Sequence, residues 1–369
     1  MYCKNLMQAA KLRQFIATIC LGPITFGATL SWTSPVLPQL QNHNSTLPFT
    51  LTVEEGSWVG SMLAIGVFCT AIPSGYLADR FGIKRCMVAL AVPNVIFSVI
   101  VFFSKDVYSL CIARFISAVC GSYVNYITLT IILGVCSLVL AIALLFHPES
   151  PSYLVRIGKQ DDAIIAIKYY RNDDYDVTQE IKTICDNLQE QNRQDTVNIQ
   201  KALMSKPVVR GLVACVGLTM FQQLSAVDAI VFYTVYIFQE SETGMDAYTS
   251  AIILSVVQLL SAVLVVFVIE KAGRRTFLYL SAFWCGVSLA VLGIYFNLKS
   301  NNINFAGMDY IPLTSLIVFS IGFALGLGPV LWLVNGELFS HDVKGVANGI
   351  TISTNWIFLF IVTKTFPIA

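Results

Sequence analysis

The side chains able to do chemistry in this chain are few, and several stand in repeated or unexpected places. Gly75-Tyr76-Leu77-Ala78-Asp79-Arg80-Phe81-Gly82-Ile83-Lys84-Arg85 lies between two apolar runs, and Glu270-Lys271-Ala272-Gly273-Arg274-Arg275 between two others. Asp79 aligns with Glu270, Arg80 with Lys271 and Gly82 with Gly273. The acid accepts charge-assisted hydrogen bonds from arginines on a neighbouring helix. The glycine permits a sharp reversal, and the basic pair holds the loop at the lipid headgroups. One copy reads as a positive-inside loop; two copies in the same order mark a parallel internal repeat, as in transporters. Asp228 is a carboxylate inside an apolar run, costly in a membrane and therefore a functional candidate. Amides recur in such runs at Gln222, Gln223, Gln258 and Asn355. An amide there is often interhelical glue, but it also offers a donor and an acceptor without a charge to desolvate.

Covalent and metal chemistry find little support. Ten cysteines are scattered, many inside apolar runs, with no CxxC pair, and read as small buried hydrophobes. His43, His147 and His341 lie far apart without ligand spacing, so neither a metal nor another cofactor is expected. No paired catalytic carboxylates or nucleophile–base pair argues for an enzyme, and no filter-like element or charge ring argues for a channel.

The elements that carry these groups follow from composition. Hydrophobic residues make up 56% of the 369 and charged residues 12%, about half the ~25% usual in soluble proteins. Mean hydropathy is +0.70. So few charges cannot cover so much apolar side chain in water, which predicts an all-α, multi-span membrane protein. A net charge of +1 gives no electrostatic case for nucleic acid. Lys4, Lys11 and Arg13 precede a first apolar run reaching about Val36, read as an uncleaved first helix with a cytoplasmic N-terminus. Further spans are predicted near 57–78, 86–104, 209–238, 247–269, 277–297, 312–334 and 346–366. A polar region from His147 to Pro207 separates the two sets, and Asp161–Arg171 in it has the pattern of a short amphipathic helix.

Basic clusters at Arg80/Lys84/Arg85, Arg156/Lys159 and Lys271/Arg274/Arg275 set three loops in the cytoplasm. The sequon Asn44-Ser45-Thr46 then falls outside, where Asn44 can be glycosylated. This sidedness requires residues 105–146 to cross an odd number of times. They are too long for one helix and too short for three, which need about 60 residues plus turns. A missing segment is the expectation.

The whole pattern resembles the sugar porter branch of the major facilitator superfamily. Beside the two loops stand Pro148-Glu149-Ser150-Pro151, Gln222-Gln223-Leu224-Ser225-Ala226-Val227-Asp228 before Phe232-Tyr233, Gly328-Pro329-Val330-Leu331-Trp332 before Gly336-Glu337-Leu338-Phe339, and Asn355-Trp356. Trp32-Thr33-Ser34-Pro35 and Glu54-Glu55-Gly56-Ser57-Trp58-Val59-Gly60-Ser61 look most like the arthropod facilitated trehalose transporters.

The resemblance implies two six-helix bundles joined by a cytoplasmic helical linker: residues 1–146, 147–207 and 208–369. The match runs through Arg114-Phe115 in the fourth helix and resumes near the sixth, and it stops about the eleventh. About 9–10 of twelve spans are therefore expected. A splice variant, a diverged paralogue and an imperfect gene model are the alternatives. The resemblance implies sugar binding by Gln222, Gln223, Gln258 and Asn355, with Trp332 facing the ring and Trp356 nearby. Asp228 replaces the family's usual Asn, and Ala226 its glycine. On an unbroken helix Gln222 and Asp228 lie about 120° apart, so one sugar is reached more easily if the helix unwinds between them. Gly75, Asp79, Arg80, Gly82, Arg114, Glu149, Glu270, Gly273, Arg274, Arg275 and Glu337 are implied in the cytoplasmic gate. The first span, Gln14 to Pro38, contains no Asp or Glu. Proton-coupled relatives carry an acid there, so facilitated diffusion by alternating access is expected, at the plasma membrane. The expected partners are a small sugar and the bilayer. A transport-dead or regulatory truncated relative is the competing expectation.

Overall fold

The computed structural model describes residues 30–41, 50–89, 106–120, 138–171, 176–194, 204–242, 244–269, 273–303, 307–339 and 341–367, with isolated residues in the flanking apolar runs. Every regular element among them is helical. Five stretches of the described residues are long and apolar enough to cross a membrane: Lys206–Ser241, Ala247–Val268, Arg274–Ser300, Met308–Leu338 and Val343–Thr365. Much of the rest of the predicted first bundle, including residues 121–137, lies outside the described residues, as do Asn44, Glu270 and Lys271.

Contacts divide the chain into two compact units that do not follow chain order. One holds residues 1–32, 62–209 and 340–349; the other holds 33–61, 210–339 and 350–369. α1 (Thr33–Gln41) begins at the division and α2 (Val53–Phe81) runs through it. The start of α2 is fixed by a reciprocal cap. The Glu55 N–H donates to Thr52 Oγ1 at 3.2 Å, while Glu55 Oε2 accepts from the Thr52 N–H and hydroxyl, both at 2.8 Å.

In the first unit α2 reverses at Gly82 into α3 (Ile83–Ala89), and α4 (Val107–Cys120) follows. A helical segment over 138–145 leads to the linker helices α5 (Pro151–Arg156), α6 (Gln160–Tyr170) and α7 (Val177–Gln194). α6 takes the amphipathic form that its pattern predicts, with Asp161 and Asp162 in the first turn and Ala163, Ala166 and Ile167 buried. Leu154, Ala163 and Ala166 make a small core between α5 and α6. His147 is buried at the linker entrance, its ring edge-on to Tyr169 at 6.0 Å. Burial and the nearby Lys84 charge lower its pKa below 6.5. Burial also pushes the Tyr170 phenol up to about 12, and its hydroxyl donates to the Pro148 carbonyl at 3.4 Å.

The second unit contains most of α8 (Lys206–Leu224), α9 (Val227–Ser241), α10 (Ala247–Val268), α11 (Arg274–Ser300), α12 (Ile311–Leu325), α13 (Pro329–Leu338) and most of α14 (His341–Thr365). Ile230, Phe238, Leu254, Cys285, Leu316 and Phe319 form its core. Outward-facing positions of α10 and α11 remain apolar, among them Leu259, Leu260, Leu264, Phe267, Phe283 and Ile294. Helices hydrophobic on every side suit hydrocarbon as the solvent.

Candidate functional site

Two of the spans are broken, and the breaks organise the site. α8 ends at Leu224 and α9 begins at Val227, with Ala226 held left-handed at φ 59°. A left-handed alanine costs about 1–2 kcal/mol, so the unwinding that the 120° offset calls for occurs here without a glycine. Ser225 eases it, its hydroxyl donating to the Gln222 carbonyl at 2.6 Å. The second break is Gly326-Leu327-Gly328, between α12 and α13. A Cβ on Gly326 would lie 2.3 Å from the Phe277 carbonyl oxygen, so only glycine lets this turn reach α11.

Backbone groups freed by a break inside a membrane need partners. The Leu327 N–H donates to Ser281 Oγ at 2.9 Å, and the Leu327 carbonyl accepts from Gln222 Nε2 at 2.8 Å. Gln222 Oε1 in turn accepts from Asn355 Nδ2 on α14 at 3.3 Å. Gln222, at the end of α8, thus ties one broken helix to the other, and Asn355 holds Gln222. Gln223, equally buried, has an Oε1 with no hydrogen-bond partner, and its amide stands beside the half-buried Asp228 carboxyl.

A hollow of about 800 Å³ opens among α10, α12 and α13. Gln258, Ser320, Phe323, Gly328, Pro329 and Trp332 are among its walls. That volume is in the range of small-molecule pockets, as is a mainly apolar wall with a few polar groups. The Ser320 hydroxyl is buried without a partner. Of the residues expected to bind, Gln258 and Trp332 therefore share a hollow, and Gln222 and Asn355 share a hydrogen bond. Gln222, Gln223, Asp228, Asn355 and Trp356 are not in that wall. Gln222 reaches it indirectly, through the turn that ends in Gly328. Trp356 is buried on α14 beside Asn355 in sequence.

Sequence reasoning did not assign Ser281 or Ser320, nor a second cluster in this unit. There α9 kinks at Tyr233 (φ −116°). The Tyr233 hydroxyl donates to the Thr363 carbonyl at 3.0 Å, and its ring stacks on Phe366 at 5.6 Å. Gly60 leaves it room: a Cβ there would lie 2.9 Å from that hydroxyl. The Val235 N–H, just past the kink, donates to Ser34 Oγ at 3.3 Å. Lys364 donates to Ser57 Oγ at 2.6 Å and lies 4.3 Å from the centre of the Trp58 ring. The first halves of α1 and α2 are thereby latched to α9 and α14.

The residues expected in the gate make several local contacts within each unit. Gly82 is left-handed at φ 91°, and a Cβ would meet Glu149 and Tyr153 at 3.0 Å. Glu149 Oε1 accepts from the Lys84 N–H at 2.9 Å and the Ser150 N–H at 3.2 Å, so its described hydrogen-bond partners are backbone groups. The Tyr153 hydroxyl donates to the Arg80 carbonyl at 3.3 Å. Arg274 pairs with Glu337 across α11 and α13, with both side chains about half exposed. Such a pair contributes up to about 1 kcal/mol. Gly273 precedes α11 as its N-terminal flank, and Arg275 is exposed. Arg114 is fully buried, 4.9 Å from the Trp32 ring centre. Gly75 and Asp79 lie on α2, with Asp79's side chain outside the described set; Glu270 lies outside the described residues altogether.

Comparison with known proteins supplies the family. The model of the "Sugar (and other) transporter" family matches residues 118–369, and that of the Major Facilitator Superfamily matches residues 19–132. The facilitated trehalose transporter Tret1 of Drosophila erecta is 28% identical over 391 residues, covering 95% of this chain and 46% of its own. Tret1 of Polypedilum vanderplanki is 28% identical over 397 residues, covering 96% of this chain and 79% of its own. The chain thus spans about half the length of the Drosophila relatives it matches. A partially occluded, inward-open structure of the xylose transporter XylE from E. coli superposes with a TM-score of 0.77 at 19% identity, covering 97% of this chain and 91% of that one. The proton:xylose symporter XylE bound to 6-bromo-6-deoxy-D-glucose gives 0.75 at 18% identity, with 98% and 89% covered. At those identities the likeness is one of fold. With a transporter family model spanning everything from the end of α4 onward, and with the helical, multi-span architecture it requires, this chain belongs to the sugar transporter family of the major facilitator superfamily.

Proposed function

We propose that this chain is a facilitative carrier of trehalose or a hexose, working by alternating access without ion coupling. The observation that carries this reading is the junction of two broken helices. Gln222 holds the Gly326–Gly328 turn, whose end lines a hollow shared by Gln258 and Trp332. A sugar is a ring of hydroxyls with modestly apolar faces. Trp332 supplies the apolar face, Gln258 and Gln223 supply hydrogen bonds, and Asp228 accepts from hydroxyls. Gln222 and Asn355 position the turn, with Trp356 beside them. Each net hydrogen bond adds about 0.5–1.5 kcal/mol, so several must act together.

The absence of Asp and Glu from Gln14 to Pro38 favours facilitation over proton coupling, even though the similar XylE is described as a proton symporter. The names of the relatives favour trehalose. Arg80, Arg114, Glu149, Arg274, Arg275 and Glu337, with Asp79 and Glu270, act at the cytoplasmic gate, and Gly75, Gly82 and Gly273 shape its loops. The chain is divided at 146 and 207 into bundle, linker and bundle, in the plasma membrane with its N-terminus inside and Asn44 outside.

A transport-inactive relative is the second reading. The Drosophila match extends over 391 positions yet takes up 95% of this chain. That leaves about 40 positions without a counterpart here, about the length of two crossings. Counterflow separates the two readings. Proteoliposomes holding this chain alone, preloaded with unlabelled trehalose or glucose, take up external labelled sugar transiently if it is a carrier. Uptake equal to protein-free vesicles favours the inactive relative.

A further inference from the structure

We propose a second site, for the headgroup of an anionic phospholipid of the inner leaflet, in a hollow of about 460 Å³ between α3, the 138–145 helix and α5. Its basic groups are Lys84, Arg85 and Lys159, and its apolar wall includes Val88, Leu145 and Ile157. Leu145 and Ile157 are exposed, as is Arg85. Arg85 makes no hydrogen bond or ion pair among the described residues. The Lys84 ammonium uses one donor on the Leu145 carbonyl at 3.1 Å and keeps two. Lys159 is only loosely held, 3.7 Å from Asp162, with both side chains more than half exposed.

The acid in this wall, Glu149, offsets one of the three basic charges and leaves the wall net positive. Its Oε1 faces the Lys84 and Ser150 N–H groups. The wall therefore combines net positive charge with apolar side chains, complementary to a phosphate on an acyl chain. Its place in the chain supplies the rest of the argument. Arg85 stands at the start of an apolar run and Leu145 at the end of another, both on the side marked by basic loops. Such a pocket lies at the level of cytoplasmic headgroups, where clusters of Lys and Arg attract anionic lipid. Inorganic phosphate shares the phosphate chemistry but would leave Val88, Leu145 and Ile157 uncovered. The inference does not depend on transport.

Native mass spectrometry of the full chain in detergent, titrated with phosphatidylinositol phosphate or with phosphatidylcholine, tests it. Phosphatidylinositol phosphate is expected to form the stronger adduct, and inorganic phosphate to leave that adduct intact. Removing two basic groups, in Arg85→Gln/Lys159→Gln, is expected to weaken it about thirtyfold. The single variant Arg85→Gln weakens it about fivefold, Arg85→Lys retains it, and Arg171→Gln, elsewhere on the linker, leaves it unchanged. Helical circular dichroism verifies that each variant is folded. Equal retention of phosphatidylcholine, displacement by inorganic phosphate, or affinity unchanged in folded Arg85→Gln would each overturn the proposal.

Discussion

Gln222 Nε2 donates to the Leu327 carbonyl at 2.8 Å, joining groups 105 residues apart in sequence. Both ends of the amide are engaged, since its Oε1 accepts from Asn355. Gln223, next to it, keeps a free buried oxygen. Replacing Gln222 by Leu leaves the Leu327 carbonyl and the Asn355 amide without this partner, and the unfolding free energy should fall by about 1–3 kcal/mol. Gln223→Ala should leave the thermal midpoint in detergent nearly unchanged and weaken sugar binding by about 2–10-fold. Measuring the midpoint and the sugar affinity for both variants separates a positioning amide from a binding one.

Ala226 sits at φ 59° where a glycine is unstrained. Ala226→Gly is expected to raise stability by about 1 kcal/mol, and Ala226→Val to lower it, since a β-branched side chain fits that region worse. Thermal unfolding of the purified variants reads both.

Gly326→Ala places a methyl group 2.3 Å from the Phe277 carbonyl oxygen, backbone against backbone. Nothing there is a flexible side-chain tip, so the turn must move. A loss of about 3 kcal/mol or more is expected, together with loss of sugar uptake. Gly336→Ala, on α13, meets nothing within 4 Å and should be tolerated. The same expression and uptake assay compares the two.

These contrasts mark how far the sequence could be read. Apolar runs announced the five spans between Lys206 and Thr365, and the first-turn acids with helical spacing announced α6. Gly82 was legible because a reversal between charged residues calls for a left-handed residue, and its φ is 91°. The offset between Gln222 and Asp228 called for unwinding somewhere between them, and the break falls at Ala226, which stands in place of the glycine that would ease it. The destinations of side chains were not legible. Glu149 Oε1 meets the Lys84 N–H, a backbone partner that no motif announces. Ser281 is one small polar residue in an apolar run, and only the fold brings it to Leu327. Lys364 latches Ser57 and Trp58, a pairing that no motif announces. Periodicity reports which face a residue shares, whereas these pairings depend on helix order and rotation.

His147 makes the linker sensitive to acid. Its folded pKa lies below the ordinary 6.5 because burial and the Lys84 charge oppose the imidazolium. The stabilisation is complete above the unfolded value. As pH falls below 6.5 the unfolded linker takes up the proton first, so stability drops until folded His147 also protonates. Hydrogen exchange of α6, corrected for its intrinsic rate, should lose protection between about pH 7.5 and about pH 5.5. His147→Phe should remove that dependence.

Asp228 stands where the resemblance places an asparagine. Asp228→Asn restores an amide that both donates and accepts, and apparent sugar affinity should rise by about 2–10-fold in a competition assay. An unchanged affinity would show that the carboxyl is not at the sugar.

Net sugar entry into vesicles containing only this chain, measured with and without a protonophore, addresses the carrier reading most directly. Saturable entry that stops when internal and external sugar are equal, is indifferent to the protonophore and is lost in Trp332→Ala is the expected result. Entry no faster than through bare lipid, or accumulation that collapses when the proton gradient is dissipated, would contradict facilitated transport.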